Sequence, residues 1–220
     1  MTTRAIRSHG EFAVTASDRA LGLNLPQKLG TWLWVPMLLM GVMAYPVAFI
    51  LGAIRANLVA TGTTISDAAN VAALGQYTTA VMFIGFASIF GAIVFAIARI
   101  LGAFRTGGGG VQETSGRQVL TLAMPATAKG MIVLMMMGMM MLVFAVVVHV
   151  ILGINVSTAV LNGDAASVMT IKSWTVWIEG VRRLGVAVYL ASIALGLATI
   201  IQVLRFQAVR IRELPDEQAK

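Results

Sequence analysis

His149 is the one side chain able to titrate near neutral pH inside four long apolar stretches, residues 31–54, 79–98, 131–154 and 184–204, none of which contains Asp, Glu, Lys or Arg. A neutral imidazole in an apolar stretch can serve as an axial haem ligand, a metal ligand or the hydrogen-bonding partner of a quinone. The positions four residues away are Ala145 and Gly153, which supply no second ligand. The other histidine, His9, is expected on the far side of a membrane, so a partner ligand would come from another helix or another subunit. Haem, quinone and lipid are therefore the cofactors to look for.

Other reactive groups are sparse. With no cysteine there are no disulfides, thiolate metal sites or cysteine nucleophiles. Seven methionines between Met131 and Met141 supply soft thioethers, but at about 100° per residue they spread around a helix and converge on no site. They read as flexible apolar filler or a subunit interface. Gly107 to Gly110 lack the Gly-Lys-Ser/Thr sequence of a phosphate cradle and read as a flexible linker. Trp174 and Trp177, beside Lys172, Glu179, Arg182 and Arg183, are expected at an outer membrane interface. Asn155-Val156-Ser157 matches a glycosylation sequon close to the third stretch.

The elements that must position these groups are membrane helices. Each stretch, at about 1.5 Å rise per residue, reaches roughly the 30 Å of a bilayer's hydrocarbon core and is apolar all round. The expected fold is an all-α integral membrane protein: a four-helix bundle of transmembrane helices with both termini cytoplasmic. Trp32 and Trp34 open the first stretch as interfacial anchors, and Pro46 should kink it. In the second and fourth, Ser88, Ala92 and Ala96, and Ala187, Ala191, Ser192 and Gly196, are small residues spaced for close helix packing.

Charge sets the orientation. The net charge of +7 is gathered in the N-terminal tail (Arg4, Arg7, Arg19, Lys28), the middle loop (Arg99, Arg105, Arg117, Lys129) and the C-terminal tail (Arg205, Arg210, Arg212, Lys220). Only Arg55, Lys172, Arg182 and Arg183 fall on the other side. This asymmetry predicts cytoplasmic tails and middle loop, and it reads as topology and lipid contact, with no nucleic-acid partner. The localisation expected is a bacterial inner membrane. No cleavable signal peptide is evident in residues 1–30. The organisation expected is a tail over 1–30, a helical hairpin with an outer loop over 31–104, a Gly-rich cytoplasmic linker over 105–129, a second hairpin over 130–204 and a tail over 205–220. Ser66 is expected to cap a short helix in the first outer loop, and Asn162-Gly163 to turn the chain in the second.

The two hairpins share motifs in chain order. Ile50-Leu51-Gly52 matches Ile151-Leu152-Gly153, Asp67-Ala68-Ala69 matches Asp164-Ala165-Ala166, and Ala87-Ser88-Ile89 matches Ala191-Ser192-Ile193. A tandem parallel repeat would account for them. With no nucleophile-base constellation, histidine-rich cluster or nucleotide motif, the leading expectation is a non-catalytic subunit. It would anchor or stabilise a larger membrane complex, such as a respiratory or other oxidoreductase assembly, with other membrane subunits and the bilayer as partners. The alternatives are an oligomeric transporter or channel, and a haem- or quinone-binding redox subunit using His149.

Overall fold

A computed structural model describes residues 6–9, 12–17, 19, 21–116 and 118–218, with the side chains of residues 6–9 and 214–218 left aside. Four helices dominate it: α1 (Leu25–Thr61), α2 (Ile65–Thr114), α3 (Ala126–Leu161) and α4 (Ala165–Gln218). All four are long and apolar enough to cross a membrane. Many large apolar side chains lie on their exteriors. Trp32 is 79% exposed and Phe49 78%, a surface that water would penalise and lipid would not.

The long outer loops expected within the two hairpins, between the first and second and between the third and fourth apolar stretches, are replaced by tight turns. α1 and α2 meet across Gly62, Thr63 and Thr64, and α3 and α4 across Asn162, Gly163 and Asp164. In the first turn the cap is Thr64, not Ser66. Its hydroxyl accepts the Asp67 N–H at 3.1 Å while Asp67 Oδ2 accepts the Thr63 and Thr64 N–H groups at 3.1 and 3.0 Å, a reciprocal capping box. Hydrogen bonds from the Thr64 side chain and backbone hold the Asp67 carboxyl below its usual value. In the second, Gly163 takes φ +67° and Asp164 accepts the Ser167 N–H at 3.0 Å. Gly163 supplies the left-handed backbone that a side chain would strain, so the turn expected at Asn162-Gly163 is present.

The expected Gly-rich linker is also different. Gly107 to Gly110 lie inside α2, which ends at Thr114. α1 runs unbroken through Pro36 and Pro46. A small antiparallel sheet, absent from the all-α expectation, joins β1 (Ile6–His9), β2 (Phe12–Ser17) and β3 (Val119–Leu122) in that order.

Contacts group the chain into two units, each drawing on all four helices. One comprises residues 1–34, 93–133 and 191–220; the other comprises 35–92 and 134–190. The first holds the sheet, whose Phe12 meets Phe206 of α4 edge-on at 5.6 Å. There Asn24 and Gln27 cap α1 reciprocally at 3.0 and 3.3 Å. Ser192 donates to the Met131 carbonyl at 2.7 Å, and Thr199 to Thr127 at 2.9 Å, tying α4 to α3.

In the second unit, glycines bring helices together in pairs. A Cβ on Gly41 would lie 2.6 Å from Ile89 Cγ1 and 3.0 Å from the Ile89 backbone nitrogen; one on Gly85 would meet nothing closer than Ala44 Cβ at 3.2 Å. On the other pair of helices, a Cβ on Gly138 would crowd Tyr189 and the Gly185 carbonyl, the latter at 3.2 Å. The two glycines of the first pair should therefore respond differently. Gly41→Ala is expected to destabilise by about 1 kcal/mol, since overpacking outweighs alanine's gain in helix propensity. Gly85→Ala should stay within about 0.5 kcal/mol of the parent, because the two effects offset. Reversible unfolding in mixed micelles measures both.

Candidate functional site

His149 is 2% exposed, and three helices converge on it within one unit. Its Nδ1 lies 2.6 Å from Gln76 Oε1 of α2. Gln76 Nε2 donates to Thr175 Oγ1 of α4 at 3.0 Å, and the Thr175 hydroxyl donates to the Ile171 carbonyl at 3.0 Å. With the Thr175 proton donated to Ile171, the Gln76 amide presents its NH₂ to Thr175 and its oxygen to His149. In that arrangement Nδ1 carries the imidazole proton. That leaves Nε2 as a lone pair, buried, with no hydrogen-bond partner among the described residues. A satisfied neutral ring with a bare nitrogen is the form in which histidine accepts a donor or ligates.

Phe83 meets the imidazole edge-on at 5.1 Å, and the Arg182 guanidinium lies 5.2 Å over the Phe83 ring. Arg182 also grips Glu179 with two hydrogen bonds, and Arg183 adds a third at 3.0 Å. The sequence places these charges beyond the fourth apolar stretch; the fold brings Arg182 against Phe83, which belongs to the second. Gln76 and Thr175, the groups that define the site, carry no charge and stand beside no motif. Only the pairing of helices could reveal them.

The remaining sequence-derived candidates divide. Ser88 and Ala92 are buried and Ala96 is half-buried on α2. On α4, Ser192 and Gly196 face inward, Gly196 against Met131 and Ile97, while Ala187 and Ala191 face outward. The inward row of α4 is instead Gly185, Tyr189, Ser192, Gly196 and Thr199. Trp174 and Trp177 are exposed, whereas Ile178 beside them is buried. Met131 is buried and Met136 and Met140 are exposed, and Tyr189 donates to Met139 sulfur at 3.4 Å. No group of three or more His, Cys, Asp or Glu able to hold a metal occurs among the described residues. The sheet-bearing unit contains a cavity of about 120 Å³ lined by Leu101, Met131, Val203 and Phe206. At its wall, Asn24 is committed to Gln27, and Gln207 donates to the Phe104 carbonyl at 3.4 Å.

Four apolar helices with a buried polar junction define the class: a multi-pass membrane protein. No protein-family model, curated protein or solved structure matches the chain.

Proposed function

We propose that the chain is a non-catalytic integral membrane subunit that anchors or stabilises a larger membrane complex of respiratory or other oxidoreductase type. The observation that carries this reading is the outward row Ala187, Ala191 and Ala194 on α4, all exposed. Lipid gives no reason for small residues at that spacing, whereas another helix does, because they let its backbone approach. α4 has already used a separate row, through Gly185, Ser192 and Gly196, on α3. The exposed thioethers of Met136 and Met140 suit an irregular partner surface in the same way.

The setting is a bacterial inner membrane. The clustering of Arg and Lys in the tails and between α2 and α3 supports cytoplasmic termini, with the two tight turns outside. A tandem repeat is supported by the matching boundaries: α1 ends at Thr61 and α3 at Leu161, and α2 begins at Ile65 and α4 at Ala165. The glycine contacts of α1 with α2, and of α3 with α4, add to it.

Native purification in lipid nanodiscs followed by mass spectrometry tests the proposal. Co-purifying membrane chains are expected, and Ala191→Leu, whose side chain fills the approach, should lower their recovery about tenfold, the equivalent of ~1.4 kcal/mol. A monodisperse species containing this chain alone would overturn it.

A further inference from the structure

We infer that the cavity of the sheet-bearing unit is a binding site for an anionic amphiphile. One acyl chain enters the cavity, and the acidic headgroup, a carboxylate or a phosphodiester, rests on Arg105. The inference goes beyond the role as a subunit and needs no partner chain.

Four observations lead there. First, there is room. The cavity measures about 120 Å³, approaching the ~150 Å³ at which an apolar protein cavity takes up benzene, so a few methylenes of one chain fit. Met124, 48% exposed, stands on its wall, so the cavity reaches the surface and a chain can enter. Second, the wall changes character along the helix axes. On α2 it runs from Ala98 through Leu101 to Arg105, positions that share one helical face and rise about 10 Å. Ala98 closes the second apolar stretch and Arg105 lies past it. An apolar end at membrane depth with a cationic end beyond it matches the polarity of an amphiphile. Third, the neutral polar side chains on the wall are engaged inside the protein. Thr199 is bonded to Thr127 at 2.9 Å, the Thr121 hydroxyl donates to the Thr15 carbonyl at 3.4 Å, and Asn24 and Gln27 accept each other's backbone N–H groups. Arg105 is the one charged residue among the described residues that line the cavity. It also interacts within the protein, but a guanidinium carries several N–H donors in a planar fork, enough to hold an acidic headgroup as well. Fourth, Lys28, Arg99, Lys129 and Arg205 belong to the same unit and are exposed. Their common sign draws anionic headgroups towards that end of the helices.

The test uses the full-length protein, stripped of lipid in a neutral detergent, with native mass spectrometry counting bound molecules during titration. Two anionic probes, oleate and oleoyl lysophosphatidylglycerol, share one chain. Oleoyl lysophosphatidylcholine keeps that chain without net charge, and glycerol phosphate keeps an acidic head without the chain. The tighter anionic probe should bind about tenfold better than lysophosphatidylcholine, and glycerol phosphate should not compete. Whether oleate or lysophosphatidylglycerol binds more tightly identifies the source, a free fatty acid or a phospholipid. Arg105→Gln should abolish the tenfold preference and leave lysophosphatidylcholine binding as it was. Ala128→Leu, which fills the cavity from α3, should weaken every chain-bearing probe about tenfold, the worth of a few methylenes.

Equal binding of the anionic and phosphocholine probes to the parent protein would overturn the inference, and that comparison stands even where a variant does not fold. A preference that survives Arg105→Gln would place the charge recognition on the exposed lysines and arginines and overturn it too. Full affinity in Ala128→Leu would put the chain outside the cavity, with the same result. Competition by glycerol phosphate would reduce the contact to a plain anion site and likewise sink the inference. None of these outcomes depends on whether other chains co-purify.

Discussion

Replacing Gln112 by leucine should cost about 2–4 kcal/mol locally and release the small sheet from α2. Gln112 is 2% exposed and its amide does the work of a missing strand. Nε2 donates to the Leu120 carbonyl at 3.0 Å, and Oε1 accepts the Leu120 N–H at 2.9 Å. Leu120 lies opposite Ala16 in the antiparallel ladder, with Thr121 opposite Thr15. In such a ladder alternate residues turn their backbone groups away from the neighbouring strand. Those of Leu120 point outward at the sheet's edge, and the glutamine side chain completes them. The same amide donates to the Gly108 carbonyl at 3.1 Å and receives Arg210 Nε at 3.3 Å.

Leucine fills the space and satisfies none of these groups, leaving two backbone partners stranded at about 1–3 kcal/mol each, less what water recovers when the edge opens. Amide exchange at Leu120 should quicken about a hundredfold, the equivalent of ~2.7 kcal/mol. Gln112→Glu, which keeps an acceptor for the Leu120 N–H and for Arg210 but loses the amide donor, should fall between leucine and the parent. Exchange at Leu120 unchanged by the leucine variant would show that the sheet is held by its apolar contacts, Phe12 on Phe206 among them.

That sheet marks the boundary of what was legible in the amino-acid order. The four apolar stretches could be read directly because membrane helices need only a long run of apolar residues, a property each stretch carries within itself. β2 has a local sign as well: Val14 and Ala16 are buried while Thr15 between them is half-buried and Ala13 is exposed. Its partner β3 is about one hundred residues away in sequence, however, and no local pattern announces a pairing at that range. Gly107 to Gly110 misled for the complementary reason. Each glycine costs a helix about 1 kcal/mol against alanine, so four in a row read as a linker; yet Gly109 is buried and Gly108 lies against the Gln207 side chain, and packing overrides propensity. The outer loops were misread because the polar residues at 155–158 and 165–175 look like loop residues. They are polar faces of helices that continue past the apolar stretches.

At the candidate site the legible part was His149, picked out by its isolation, while its chemistry depends on groups the sequence does not point to. That dependence can be measured. Gln76→Leu should destabilise the protein by about 1–2 kcal/mol, because it leaves the Nδ1 proton of His149 buried without an acceptor next to a nitrogen already unpartnered. His149→Leu should cost a similar amount, since Gln76 Oε1 then loses its donor. The double variant, in which both polar groups are gone and an apolar junction replaces them, should be more stable than the sum of the singles by about 1 kcal/mol or more. Unfolding of all four proteins in the same mixed micelles gives this coupling. A value near zero would mean that Gln76 and His149 each find other partners, and that the 2.6 Å contact does not fix the tautomer. A clear coupling would establish that α2 sets the ring's protonation from one side and so leaves the other side, facing Nε2, as the only place where the imidazole can act.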